Sequence, residues 1–212
     1  MKKYIFFFIF SVFYWVYGSA VFSQSKAAEL LDRVVAKYDV SKGISARFSI
    51  ENKNAQNQVS GRTSGTLKMQ GQCFTLKSQD MMIWYDGKNQ WAFMPSSNEV
   101  NLSIPSRDEI QEVNPYMILK SYKKEFKSLY KGKSNGWERV ELTPLQKDGD
   151  IKNILLEIDV TRLYPVSIVI FNSNKTSLNI HVTEYQTGLN FKNSEFVFDK
   201  RQFPEAEIID LR

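Results

Sequence analysis

GTLKMQGQCFTLKSQDMMIWYDGKNQWAFMPSSNEVNLSI, residues 65–104, is the stretch that decides the fold. Large apolar side chains recur there at every second position, as they do on strands that bury one face. Phe74 with Leu76, Met82 with Trp84, and Trp91 with Phe93 each share a face, which predicts a sheet with one apolar side. Asp86-Gly87 tolerates positive φ and predicts a hairpin between residues 82–85 and 90–94. Two tryptophans and several methionines make that surface bulky and adaptable rather than tailored to a polar substrate.

Upstream, Ala27, Leu30, Leu31, Val34, Val35 and Tyr38 follow the spacing of an amphipathic helix capped by Ser25. Ile44, Ala46, Phe48 and Ile50 then alternate as a strand, and four or five more strands fit residues 60–104. Downstream, Ser106 and Glu109 form a capping box. Asn114-Pro115 interrupts the helical pattern, which resumes over 116–130 through Met117, Ile118, Tyr122, Phe126 and Leu129. Five further antiparallel strands are expected at 136–143, 151–159, 165–172, 176–185 and 195–199. The total is an α+β fold: about eleven strands in one sheet, with helices gathered on one side. A sheet that wide curls, so a strongly curved, unclosed antiparallel β-barrel with helices covering its concave face is expected.

The chain opens with Lys2 and Lys3, an apolar run from Tyr4 to Tyr17, and small residues at Gly18, Ser19, Ala20 and Ser23. That layout predicts a secretory signal peptide over residues 1–23, cut after Ser23 or, as the alternative, after Ala20. The competing reading is an uncleaved anchor reaching from Tyr4 to Phe22. Residues 24–212 then form a single domain of 189 residues, with no Pro/Gly/Ser linker to divide it. Removing the leader lowers the formal charge from +5 to +3, 26 basic against 23 acidic residues. With dispersed lysines and an exported chain, nucleic-acid binding is not expected.

Cys73 is the only cysteine, so no intramolecular disulfide can form and the fold rests on its core. No cysteine stands at the end of the leader to receive a lipid, and a soluble mature chain is expected.

Chemistry is hard to find in this sequence. The only histidine, His181 in LNIHVTEY, alternates with Ile180 and Val182 and so points away from their apolar face. One histidine and one cysteine far apart make a poor zinc site, and no cofactor is expected. P-loop, GxGxxG and GxSxG motifs are absent. Glu112 and Glu125 lie on helices whose polar faces carry acids anyway, so a paired-carboxylate hydrolase has no positive support. The balance favours a binding protein over an enzyme.

The order SARF (45–48), SGTLKMQGQCF (64–74), DGKNQWAF (86–93), NEV (98–100), NPYMIL (114–119), ELTP (141–144), FVFD (196–199) and IIDLR (208–212) resembles the LolA family of periplasmic outer-membrane lipoprotein carriers. The likeness runs across essentially the whole mature chain. NEV and the terminal IDLR look most like members from the Bacteroidetes. The resemblance implies an unclosed barrel of eleven strands, lidded by helices, that holds the acyl chains of lipoproteins. It implies loading by an inner-membrane ABC transporter, unloading to an outer-membrane acceptor, a periplasmic location and a monomer. It also places the family's cavity aromatic on Phe74 and a large neighbour on Leu76. One departure stands out. Where the best-studied branch carries a lid-latching arginine in a basic-proline turn, this chain reads Gln70-Gly71-Gln72, so no latch residue is carried over.

On this reading Phe48, Ile50, Phe74, Leu76, Met82, Trp84, Trp91 and Phe93 line an apolar pocket, with Met117, Ile118 and Tyr122 as its lid. Plain core packing is the competing reading at each position. Two rival functions remain: a periplasmic lipid-binding sensor of the same fold, and a carboxylate-dependent hydrolase.

Overall fold

Ile44, Phe48 and Ile50 put their side chains on one face of β1 (Gly43–Lys53), and that face, repeated strand after strand, builds the inner wall of the molecule. A computed structural model describes residues 23–38, 42–107, 109–110, 114, 116–146 and 149–212. The expected leader therefore falls, apart from Ser23, outside the described residues, as does Glu112.

β1 is followed by β2 (Val59–Gln70), β3 (Cys73–Ser78), β4 (Met82–Tyr85), β5 (Gln90–Met94) and β6 (Glu99–Ser103), joined as antiparallel neighbours. The β4–β5 hairpin turns where expected: the Asp86 carboxylate accepts from the backbone N–H of Lys88 at 2.8 Å and of Asn89 at 2.7 Å, and Gly87 takes φ +97°. The second half of the chain adds β7 (Phe126–Ser134), β8 (Trp137–Pro144), β9 (Ile151–Asp159), β10 (Tyr164–Asn172) and β11 (Ser177–Leu189). β11 pairs with β1 and so joins the two halves. With β12 (Glu207–Asp210), the described residues form a 12-stranded sheet in the order β12-β6-β5-β4-β3-β2-β1-β11-β10-β9-β8-β7. Its end strands, β12 and β7, do not pair with each other, so the α+β half-barrel is unclosed.

Among the described residues two helices cover one side, and Arg107, Glu109 and Ile110 are helical as well, with Ile110 in the core. α1 spans residues 23–37 and turns Ala27, Leu30, Leu31 and Val34 inward at helical spacing. Ser25 thus lies inside the helix rather than capping it. The Ser106–Glu109 capping box is present: the Ser106 N–H donates to the Glu109 carboxylate at 2.7 Å, and the Glu109 N–H to the Ser106 hydroxyl at 3.3 Å. α2 (Tyr116–Glu125) is capped by the buried Asn114, whose side-chain oxygen accepts from the Tyr116 N–H at 3.2 Å.

Two boundaries differ from expectation. Helical spacing over 116–130 breaks at Phe126, where β7 begins, because Phe126 and Ser128 are buried around an exposed Lys127 and period two prevails. Residues 195–199 do not form a strand: Asn193–Phe196 is a 3-10 turn, and the Phe196/Phe198 alternation marks two buried aromatic anchors of a covering segment. Two unexpected strands take its place: β7, and β12, which runs parallel to β6, so the described residues hold twelve strands where about eleven were expected.

Candidate functional site

Alternation sorts the wide half of the sheet into two apolar faces. Register pairs Leu67 with Leu76, Leu76 with Ile83, and Phe74 with Tyr85, which sets these residues on the inner face under the helices. The same register pairs Met82 with Phe93 and Trp84 with Trp91, which sets those four on the outer face.

An apolar pocket of about 100 Å³ lies on the inner side. Ile44, Ala46, Phe48 and Ile50 of β1 form its floor with Leu67, Met69 and Leu76. Pro165 and Ile168 of β10 and Leu178, Ile180, Val182 and Tyr185 of β11 form the opposite wall. Tyr38, just past α1, and Tyr116 and Leu119 of α2 roof it. Among the described residues, no ionisable side chain other than tyrosine lines the space. Gly65 makes the floor possible: an added Cβ would stand 2.3 Å from the Lys77 carbonyl oxygen and 2.9 Å from the Phe48 ring. The glycine of the G-x-L motif is thus a seat for the Phe48 ring.

Of the residues expected to line a pocket, Phe48, Ile50 and Leu76 do so, and Phe74 is fully buried in the core beside them. Met82, Trp84, Trp91 and Phe93 do not share that wall, which corrects the single-face expectation. They pack on the outer face with Val100, Phe198, Phe203 and Ala206, beneath the C-terminal segment. That segment is fastened by Lys68 to Glu195 at 2.7 Å and by the Thr75 hydroxyl to the Glu195 carbonyl at 2.7 Å. Gln70 fastens it as well, accepting from the Phe191 N–H at 2.9 Å. The stretch that departs from the family's basic-proline turn therefore holds the C-terminal segment.

The expected lid residues are in α2, one step around from the pocket. Ile118 is buried in the core and Met117 packs against it, while Tyr116 and Leu119 face the space. Tyr122 ties α2 to α1, donating to Asp32 at 2.7 Å and lying 3.1 Å from the Ala28 carbonyl; Lys123 reaches Asp32 at 2.8 Å. Partial burial pushes the Asp32 carboxyl up, but the bonds from Lys123 and Tyr122 outweigh it and hold the carboxyl below its ordinary value. At its other end α1 rests on β7 and β8: the Ser23 hydroxyl donates to the Tyr130 carbonyl at 2.9 Å, Lys26 stacks over the Tyr130 ring at 3.8 Å, and Lys26 pairs with Glu138 of β8 at 4.0 Å.

The β10 and β11 wall escaped the sequence reading, although Leu178, Ile180 and Val182 alternate there as plainly as the β1 residues do. Tyr38, Tyr116 and Leu119 carried no separable signal, since the same helical stripe also fills the core.

Elsewhere the described residues show little chemistry. No group of three His, Cys, Asp or Glu side chains among them is placed to hold a metal. His181 is exposed and shares a polar groove with Ser49, Glu51, Arg62 and Asp80 on the side away from the pocket. Burial raises the pKa of the Cys73 thiol, away from reactivity. Glu125 accepts from the Ser121 hydroxyl at 2.7 Å and pairs with Arg107 at 2.6 Å. No helix among the described residues is long and apolar enough to cross a membrane.

None of the curated proteins matches the chain at a significant level. Among solved structures, an uncharacterized conserved protein from Thermus thermophilus superposes with TM-score 0.59 at 12% identity, covering 87% of this chain and 99% of its own. A DUF1329 family protein from Desulfovibrio piger gives TM-score 0.48 at 11% identity, covering 82% and 97%. A LolA superfamily protein from Nitrosomonas europaea gives 0.45 at 11%, covering 82% and 98%. At 12% identity the likeness to the Thermus thermophilus protein is one of fold. The sequence itself fits the pattern of the outer membrane lipoprotein carrier protein LolA over residues 19–174, and the chain belongs to that family.

Proposed function

We propose that this protein carries acylated lipoproteins across the periplasm, holding their acyl chains in the space between the half-barrel and helices α1 and α2. The supporting observation is the pocket: a wall of aliphatic and aromatic side chains without a buried charge, in a chain of the LolA family. Each methylene kept from water is worth about 0.8 kcal/mol, so a chain of about fifteen contributes roughly 12 kcal/mol, and a lipoprotein needs such a shelter in transit.

At about 100 Å³ the pocket is smaller than the roughly 300–1,000 Å³ of drug-sized sites, so an acyl chain enters only as the roof lifts. Among the described residues the roof contributes three side chains to the pocket, Tyr38, Tyr116 and Leu119. The bonds among Tyr122, Lys123 and Asp32 join α1 and α2, so the helices move as one lid. In this reading the leader directs export and is removed, cut after Ser23 or, in the alternative that keeps the Ser23–Tyr130 bond, after Ala20; an inner-membrane ABC transporter loads the carrier, and an outer-membrane acceptor unloads it.

Purifying the protein from its native envelope and identifying what travels with it by mass spectrometry tests this reading. Co-purifying triacylated lipoproteins are expected; free lipids alone would favour a lipid sensor, and glycans a hydrolase.

A further inference from the structure

The pocket is apolar along its length except at one end, where Tyr38, Tyr116 and Tyr185 meet. Tyr164 stacks flat on Tyr185, with centroids 4.6 Å apart and planes at 8°, while Tyr38 leans on Tyr185 at 5.5 Å and on Tyr116 at 4.6 Å. The Tyr185 ring is therefore clamped and its hydroxyl fixed in place. The Tyr116 hydroxyl is satisfied, donating to the Tyr38 carbonyl at 3.2 Å. The Tyr185 hydroxyl is sealed from solvent and, among the described residues, makes no hydrogen bond of good geometry; the Tyr38 hydroxyl lies close by and acts on it as a donor toward the Tyr185 oxygen, which leaves the Tyr185 proton without an acceptor. A buried donor left open destabilises the empty protein, and it is satisfied by a ligand that brings an acceptor.

Resting on the carrier reading above, we infer that Tyr185 is a specificity-determining residue that donates a hydrogen bond to the ester carbonyl of a bound acyl chain, fixing the chain's headgroup end between Tyr38 and Tyr185. An ester carbonyl accepts without donating and carries no charge. A free carboxylate would have to shed its hydration in an apolar pocket where no cation among the described residues faces it. Tyr185 stands opposite Ala46, and from there β1 runs on to Ile50 along the floor, about 13 Å of strand for the methylenes to follow. Burial keeps the Tyr185 hydroxyl protonated and so a donor.

Two ligand sources share this chemistry, the S-diacylglyceryl group of a lipoprotein and a diacyl glycerophospholipid. The test measures affinity for a dipalmitoyl-glyceryl-cysteine lipopeptide and for dipalmitoyl phosphatidylglycerol, each against its dihexadecyl ether counterpart, which lacks the carbonyls. The protein should prefer ester over ether by about three- to tenfold, the effect of one neutral hydrogen bond. The pair showing the preference identifies the source. In Tyr185→Phe the preference should vanish while ether affinity holds, and the bound ester's infrared carbonyl band should return toward its unbonded frequency. Thermal stability of Tyr185→Phe without ligand should be unchanged or higher; a clear loss would mean the hydroxyl already has a partner and would overturn the inference. Equal binding of ester and ether by the unmodified protein would also overturn it. Failure to bind any of the four lipids would overturn the carrier reading, and this one with it.

Discussion

Strands β4 and β5 carry apolar side chains on both faces, yet the two faces of this part of the sheet are finished differently. On the outer face Trp84 meets Phe198 at 5.4 Å, Phe93 meets Phe203 at 4.7 Å, and Phe198 meets Phe203 at 5.5 Å. On the inner face the helices come down on Phe74 and Ile83 but leave space over Phe48, Ile50 and Leu76. One face is closed by its own chain with ring-on-ring contact, and the other is roofed by helices whose described contacts with the open part are Tyr38, just past α1, and Tyr116 and Leu119 of α2. The difference separates a core that stabilises from a surface that can receive something.

If that division is right, the largest stability effect belongs to the outer face. Trp84→Ala should cost about 3–5 kcal/mol, read by denaturant unfolding, with acyl-chain affinity of the folded protein unchanged. Lost affinity at undiminished stability would place the binding surface on the wrong side. Gly65→Ala comes next, because the new Cβ would collide with the Lys77 carbonyl and the Phe48 ring. A cost of about 1–3 kcal/mol is expected, together with a shift of Phe48 visible in the aromatic side-chain spectrum.

Ala46→Leu sharpens the comparison from the other side. The added carbons enter free volume, so the melting temperature should hardly move, while acyl affinity drops about tenfold, equivalent to roughly two methylenes at about 0.8 kcal/mol each. A stability loss comparable to that of Trp84→Ala would show that the inner face is as full as the outer.

The smallest effect concerns the lid. Asp32→Asn should cost about 0.5 kcal/mol, since the side chains of Asp32 and Lys123 are 47% and 63% exposed and the pair is screened. The native Asp32 carboxyl lies below its ordinary 3.8, so its contribution is complete above that pH and disappears as pH falls through the lower native value. Stability-versus-pH curves of the two proteins should run apart at neutral pH and converge in acid. Curves that stayed parallel would deny Asp32 a part in joining the helices.

Much of this fold is legible in the residues. The β1 alternation, the Asp86-Gly87 hairpin, the Ser106–Glu109 box and the broad sheet with helices on one side all follow from local chemistry and appear in the structure. The site is less legible, and residues 81–85 show why. Met-Met-Ile-Trp-Tyr is a continuous apolar run rather than an alternating one, which is how a strand buried on both faces reads. Period two tells which of these residues share a face, but not which face the helices cover. The outer cover comes from Phe198 and Phe203, more than a hundred residues away, and no local pattern around Trp84 announces it. Nor does alternation reveal where packing stops short, because the pocket is a volume that the helices leave unfilled.

The most direct test of the central claim places a diazirine at the far end of one acyl chain of a synthetic triacylated lipopeptide and maps the photo-crosslinks by mass spectrometry. Labels on the inner wall, at Phe48, Ile168 or Leu178, are the predicted result. Labels confined to Trp84, Phe93 or Phe203 on the outer face, or no specific labelling of a folded protein, would contradict it.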